Sequence, residues 1–190
     1  MKMRKVLSAL LVAACTLSLA ACGSSSSKSE TTGASGETAA SSANTAKVID
    51  VDLTSEEYAF GVDKTQPELL EQTNTFIQKI KDDGTLDAIC AKYFGDGEPE
   101  AVESAELDSS KDQLVVATNA AFEPFEYTKG DQYYGIDMEI AKLLADELGK
   151  ELVIQNMDFD AVCLSVSQQK CDIAMAGLTI NEERQEYVTF

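Results

Sequence analysis

Asp172-Ile-Ala-Met-Ala-Gly-Leu-Thr-Ile-Asn-Glu-Glu-Arg184 is the stretch on which the reading of the whole chain turns. Its apolar run, Ile173 to Ala176, is too short for a helix and suits a strand buried on both faces. Gly177 and Thr179 follow, and Asn181, Glu182 and Glu183 are residue types that open helices. Arg184 then falls in the first helical turn. A planar guanidinium there, beside backbone N–H groups freed by a strand end and a helix start, suits a two-pronged contact with a carboxylate. Such a charge-assisted bond contributes roughly 1.5–3 kcal/mol net. The stretch thus reads as the floor of an amino-acid site, against the plainer alternative of a surface arginine paired with Glu182 or Glu183.

Working outward, residues 112–190 alternate strand and helix. Leu114-Val-Val-Ala-Thr118 is a buried-strand pattern, and Ile136, Ile140, Leu143, Leu144 and Leu148 mark a helix that Gly149 ends. Leu152-Val-Ile154 predicts a second strand. A helix over about 159–168 and the strand Ile173–Ala176 complete a β-α-β-α-β unit. That order predicts an α/β fold with a parallel sheet flanked by helices, whose ligands gather where the strands end. The first strand is followed by Asn119, Phe122, Glu123, Phe125 and Glu126. Asp158 and Phe159 follow the second, and Gly177, Thr179 and Arg184 the third. Glu123 and Glu126 read as solvated or structural, and Asp137 and Glu139 as acids at a helix start favoured by its dipole.

Toward the N-terminus, Lys47 to Leu53 alternates and Tyr58-Ala-Phe-Gly-Val62 is strand-like. Pro67 opens a helix with Leu69, Thr73, Phe76, Ile77 and Ile80 on one stripe, and Thr85 opens a shorter one closed by Gly95. These helices of segment 47–96 need a partner. Residues 97–111 read as an acidic linker, and 23–46, rich in Ser, Thr, Ala and Gly, as a disordered tether. Residues 1–22 read as an export signal: Lys2, Arg4 and Lys5 precede the apolar run Val6 to Ala21. It ends in Leu19-Ala-Ala-Cys22, a quartet that resembles the bacterial lipobox. Cys22 is therefore the expected lipidation site, with Cys15 in Val12-Ala-Ala-Cys15 as the weaker candidate. The expected product is an acidic protein lipid-anchored to the extracytoplasmic face of the cell membrane.

Composition removes whole classes of function. With 15 basic against 33 acidic residues the formal charge is −18, which argues against nucleic acid as a partner. The chain has no histidine, so histidine triads and histidine metal sites are excluded. Beyond the export segment, Cys90, Cys163 and Cys171 are odd in number and lack metal-ligand spacing. They read as small buried hydrophobes, with a Cys163–Cys171 disulfide the alternative in an exported protein.

Four motifs carry a resemblance. Ala117-Thr-Asn-Ala-Ala-Phe-Glu-Pro-Phe-Glu126, Gly135-Ile-Asp-Met-Glu-Ile140, Asp158-Phe-Asp160 and Ala176-Gly-Leu-Thr-Ile-Asn-Glu-Glu-Arg184 together resemble the polar amino-acid substrate-binding proteins of ABC importers, extracellular solute-binding family 3. Residues 56–95 resemble the segment that closes lobe one at the C-terminus of those proteins, whereas 112–190 resemble the segment that begins it. The resemblance therefore implies a type II periplasmic-binding-protein lobe in permuted order, with one strand added from the N-terminal segment. It further implies a truncated reading of a longer protein, or else a lobe-one module alone, without the lobe-two acid that holds the ligand ammonium; weak or no binding is then expected of this chain.

By the same resemblance Arg184 takes the ligand α-carboxylate, Thr179 adds its hydroxyl and N–H, and Gly177 offers its carbonyl to the α-ammonium. Phe122 and Phe159 flank the ligand side chain, and Asn119 faces it. The implied function is capture of a free L-amino acid for an ABC transporter permease, by a monomer, with no cofactor, no metal and no catalysis. Two other readings stand beside it: a lobe-one docking or sensory module, and an enzyme similar to cyclohexadienyl dehydratases, for which Glu123 or Asp158 is the nominated acid/base.

Overall fold

The computed structural model describes residues 49–51 and 55–190. The export signal, Cys22 and the tether all lie outside them, as does most of the strand expected over 47–53. Of that strand Ile49 and Val51 are described; both are exposed and neither is in a strand.

From Asp50 to Phe190 the chain forms one compact unit around a five-stranded sheet. Its centre is the predicted parallel set: β2 (Gln113–Thr118) lies between β6 (Glu151–Asn156) and β7 (Ile173–Ala174), with Val116 opposite both Ile154 and Ile173. β1 (Gly61–Asp63) adds to β7 as expected of the N-terminal segment, but runs antiparallel, with Val62 opposite Ile173. β8 (Val188–Thr189) then pairs antiparallel with β1 at the edge. The sheet is therefore mixed, in the order β6-β2-β7-β1-β8.

Side-chain alternation on the strands divides the core into two layers. Leu114, Val116, Val62 and Ile173 face α1 (Pro67–Asp82), α2 (Thr85–Phe94) and α3 (Ile136–Leu148), against Phe76, Ile80, Ile89, Met138 and Leu144. Ala117, Ala174 and Val188 face α4 (Phe159–Ser167), against Val162, Cys163, Val166 and Cys171. The stripe Leu69, Thr73, Phe76 and Ile80 is the buried face of α1, as its spacing predicts. Asp172, just before β7, joins two strands by accepting the Val115 N–H at 2.8 Å. Cys163 and Cys171 are buried and unbonded, so the disulfide alternative does not hold, and Cys90 is half-buried.

Three features depart from the sequence reading. A separate small sheet of β3 (Ala121–Phe122), β4 (Glu126–Lys129) and β5 (Gln132–Tyr134) rises from the end of β2. The segment 97–111 is irregular but fastened. Val102 is buried and bridges Tyr133, and the Ala105 N–H donates to the Leu152 carbonyl at 2.9 Å. Asp137 and Glu139 do stand in the first turn of α3, yet both are buried and work at long range. Glu139 accepts the Tyr93 hydroxyl and an ion pair from Lys92, each at 2.7 Å.

Candidate functional site

The carboxyl ends of the parallel strands open onto a cleft of about 380 Å³, and all six residues singled out from sequence line it: Asn119, Phe122, Phe159, Gly177, Thr179 and Arg184. Glu56, Tyr58, Ala121, Glu126 and Ala176 complete the wall. Glu123 is exposed on the β3–β4 connection and Asp158 precedes α4; neither lines this cleft.

Arg184 is held by its own loop. The Asn181 side chain caps the short helix α5 (Glu182–Tyr187) by accepting the Arg184 N–H at 2.8 Å, which brings the arginine back over the cleft. One guanidinium nitrogen donates to the Thr179 carbonyl at 2.7 Å, and the guanidinium lies 5.0 Å from the centre of the Phe159 ring. Among the described residues Arg184 forms no ion pair, so the alternative of a salt bridge to Glu182 or Glu183 is not what the structure contains. A guanidinium stacked on an aromatic face with donors to spare is prepared for a carboxylate.

Asn119 is partly occupied: its side-chain amide donates to the Met157 carbonyl at 2.7 Å, binding the end of β2 to that of β6. Phe122 stands 45% exposed and stacks on Phe125, with centroids 5.4 Å apart. Tyr58 meets the edge of both rings and bridges Thr179 across the cleft floor. Such half-open aromatic surface desolvates whatever enters and strengthens its polar contacts.

Gly177 has φ +52°, a left-handed conformation that side chains resist, and a Cβ there would stand 3.0 Å from the Phe122 ring. Its N–H donates to Asp137 Oδ2 at 2.9 Å. Glu126, opposite Phe122 in the β3–β4 register, is 1% exposed, and neither of its carboxylate oxygens has a partner in the described structure. Burial, with the Asp137 charge beside it, pushes the Glu126 carboxyl up to about 9. Burial likewise pushes Asp137 up to about 6, against the opposing Gly177 hydrogen bond.

These shifts have a sign that stability measurements read. Both folded values exceed those of the unfolded chain, so the native state holds more protons and stability falls as pH rises. Between pH 6 and 8 the extra proton sits on Glu126, and the expected slope approaches 1.4 kcal/mol lost per pH unit. Urea unfolding at pH 6, 7 and 8 checks this. Glu126→Gln, a neutral group in the same place, flattens the slope; an unchanged slope in that variant contradicts a protonated Glu126.

Tyr58, Glu56 and Glu126 were not among the expected site residues. Tyr58 and Glu56 join because they flank β1, the strand expected from the N-terminal segment, where it lies beside β7; the strand is legible in the sequence, but the arrival of its flanking residues at the cleft is not. Glu126 has the composition of a solvated acid and is enclosed only because the β3–β4 hairpin folds over Gly177.

An α/β lobe with an aromatic cleft at the strand ends and a carboxylate-ready arginine defines a small-molecule binding architecture. Bacterial extracellular solute-binding proteins, family 3, match residues 9–96 and 114–190, and the chain belongs to that family. It is a lobe of the type II periplasmic-binding-protein fold.

Among curated proteins, the arginine-binding extracellular protein ArtP of Bacillus subtilis is 37% identical over 83 residues, covering 44% of this chain and 32% of that protein. The cyclohexadienyl dehydratase of Pseudomonas aeruginosa is 37% identical over 78 residues, covering 40% and 29%. The chain spans about a third of the length of the curated relatives it matches. Among solved structures, the arginine-bound form of domain 1 from TmArgBP is 37% identical with a TM-score of 0.39, over 43% of this chain and 67% of that one.

Proposed function

We propose that the chain is the ligand-contacting lobe of a lipid-anchored extracytoplasmic receptor, which captures a free L-amino acid for an ABC importer and performs no chemistry. The single observation that carries this reading is Arg184, stacked on Phe159 and without an ion pair among the described residues, in a cleft walled by Phe122, Thr179 and Gly177. In it Arg184 takes the α-carboxylate, Thr179 adds a hydroxyl, Gly177 offers its carbonyl to the α-ammonium, and Phe122, Phe159 and Asn119 surround the side chain. Relatives named as arginine-binding proteins support an amino acid as the ligand. No metal or cofactor enters the account, and the receptor works as a monomer beside its permease.

The proposal extends to chain order. Two separate stretches match one family, and β1 and α1 pack on the sheet of 113–190, which supports 47–96 and 112–190 as the two parts of lobe one in permuted order. Residues 97–111 join them. Cys22 is proposed as the lipidated N-terminus after removal of 1–21, and residues 23–46 as the tether.

Thermal unfolding of the purified full chain with each of the twenty amino acids at millimolar concentration tests capture, because a ligand bound to the native state raises the transition by mass action. A small shift confined to one or a few amino acids is expected, as of weak binding by one lobe. A cooperative transition that none of them moves would favour a lobe that binds no ligand alone and acts in docking or sensing. For the anchor, Cys22→Ala is expected to release the protein from the membrane fraction; retention there contradicts lipidation at Cys22.

A second reading rests on Glu126. A carboxyl that stays protonated at neutral pH is a general acid in kind, and one relative is a cyclohexadienyl dehydratase. Turnover of a cyclohexadienyl substrate, lost in Glu126→Gln, would establish that reading in place of capture.

A further inference from the structure

Glu56 sets a carboxylate of the chain itself against the floor of the cleft. The segment before β1 runs antiparallel to the stretch after β7: Tyr58 bridges Thr179, and the Ala59 N–H donates to the Leu178 carbonyl at 2.9 Å. Side chains two apart on an extended chain share a face, so Glu56 and Tyr58 both come to the cleft wall beside Thr179. There Glu56 Oε2 accepts the Thr179 hydroxyl at 3.5 Å, a long and therefore weak bond at the solvent edge. The Glu56 charge falls on the Tyr58 hydroxyl as well.

This contact uses what an anionic ligand group needs. A threonine hydroxyl has one proton and donates it to one acceptor at a time. In the capture reading that acceptor is the ligand α-carboxylate, yet here it is the carboxylate of Glu56. Arg184 leaves the arrangement unfinished: it donates to the Thr179 carbonyl and forms no ion pair among the described residues, with Glu56 or with any other acid. Glu56 therefore stands at the carboxylate position without neutralising the cation beside it. Because Glu56 is exposed, its side chain can swing into solvent with no loss of buried apolar surface. Its charge stays near the incoming anion even then, and like charges at short range repel.

We propose that Glu56 is a built-in competitor for the carboxylate position of the cleft, displaced from Thr179 by the ligand as it binds. The assignment rests on the reading of the cleft as an amino-acid site and deepens it by naming a residue that sets affinity there. The exchange is one of hydrogen-bond partners: the Thr179 proton stays on its oxygen, the Glu56 carboxylate moves to water, and the ligand carboxylate takes its place as acceptor. Two anionic acceptors cannot share that hydroxyl, so removing the Glu56 carboxylate tightens binding. The gain is that of an exposed charge interaction, about 3- to 10-fold, and it shrinks as salt is raised. A competitor of this kind also weakens capture by the lobe alone.

Titration calorimetry of the full chain with L-arginine, and with any of the twenty amino acids that moves its thermal transition, tests this in three proteins: the unmodified chain, Glu56→Ala and Glu57→Ala. Glu57 is the control, an exposed acid of the same charge that does not line the cleft. Glu56→Ala is expected to lower Kd about 3- to 10-fold, and Glu57→Ala to leave it within about twofold. Binding that becomes measurable only in Glu56→Ala is the same result. An unchanged Kd in Glu56→Ala, or an equal gain in both variants, overturns the Glu56 assignment alone. So does weaker binding by Glu56→Ala, which would place the carboxylate on a cationic group of the ligand instead. If none of the three proteins binds any of the twenty amino acids, the capture reading falls and the Glu56 assignment falls with it.

Discussion

Arg184→Ala is expected to weaken amino-acid binding about 10- to 150-fold, which corresponds to the roughly 1.5–3 kcal/mol of a charge-assisted bond. The estimate follows from the surroundings. The guanidinium is already oriented by the Thr179 carbonyl and the Phe159 ring, so little rotamer freedom remains for the ligand to remove. Stability should change far less, because the side chain is only half-buried and forms no ion pair among the described residues. Arg184→Lys should recover little of the loss, since an ammonium can neither fork onto a carboxylate nor lie flat on the ring. Titration calorimetry of the three proteins beside their urea midpoints separates the effects. A full-strength Arg184→Ala complex contradicts the placement of the carboxylate.

Gly135→Ala is expected to cost on the order of 4 kcal/mol or more, a large share of the stability of an ordinary domain. Gly135 has φ +127°, and a Cβ there would stand 2.1 Å from the Phe125 carbonyl oxygen and 2.5 Å from its carbon. Both obstacles are backbone, so no side chain can move aside. The junction is also fastened on every side: the Gly135 N–H donates to the Tyr93 hydroxyl oxygen, and the Ile136 and Asp137 N–H groups donate to the carbonyls of Pro124 and Phe125. Gly149→Ala is the control. It too has positive φ, at +69°, but a Cβ there meets nothing within 4 Å, and about 1 kcal/mol is expected. Equal losses at the two positions, by urea unfolding, would contradict the steric account.

The parts of the fold that sequence makes legible are those set by long periodic runs. β2, β6 and the helices α1, α3 and α4 carry their apolar faces in unbroken spacing, and parallel strands necessarily end on one edge. That is why residues as far apart as Asn119, Phe159 and Arg184 are brought to one cleft. The direction of β1 is different in kind. Gly61–Asp63 is three residues long, and whether it runs with or against β7 is decided by where α1 leads the chain, not by its own side chains. The β3–β4–β5 sheet escapes for the same reason: strands of two to four residues show too little alternation to register. Glu126 illustrates the limit at the site. Acids are seldom buried without a partner, so composition places it in solvent, and only the hairpin folded over Gly177 encloses it.

The central claim is that this cleft receives an amino acid through Arg184. A crystal structure of the chain grown with L-arginine tests it most directly. The account predicts density in the cleft, with the α-carboxylate on the Arg184 guanidinium and the Thr179 hydroxyl and the side chain between Phe122 and Phe159. An amino acid seated elsewhere on the surface, or bound in the cleft with its carboxylate turned away from Arg184, would contradict it.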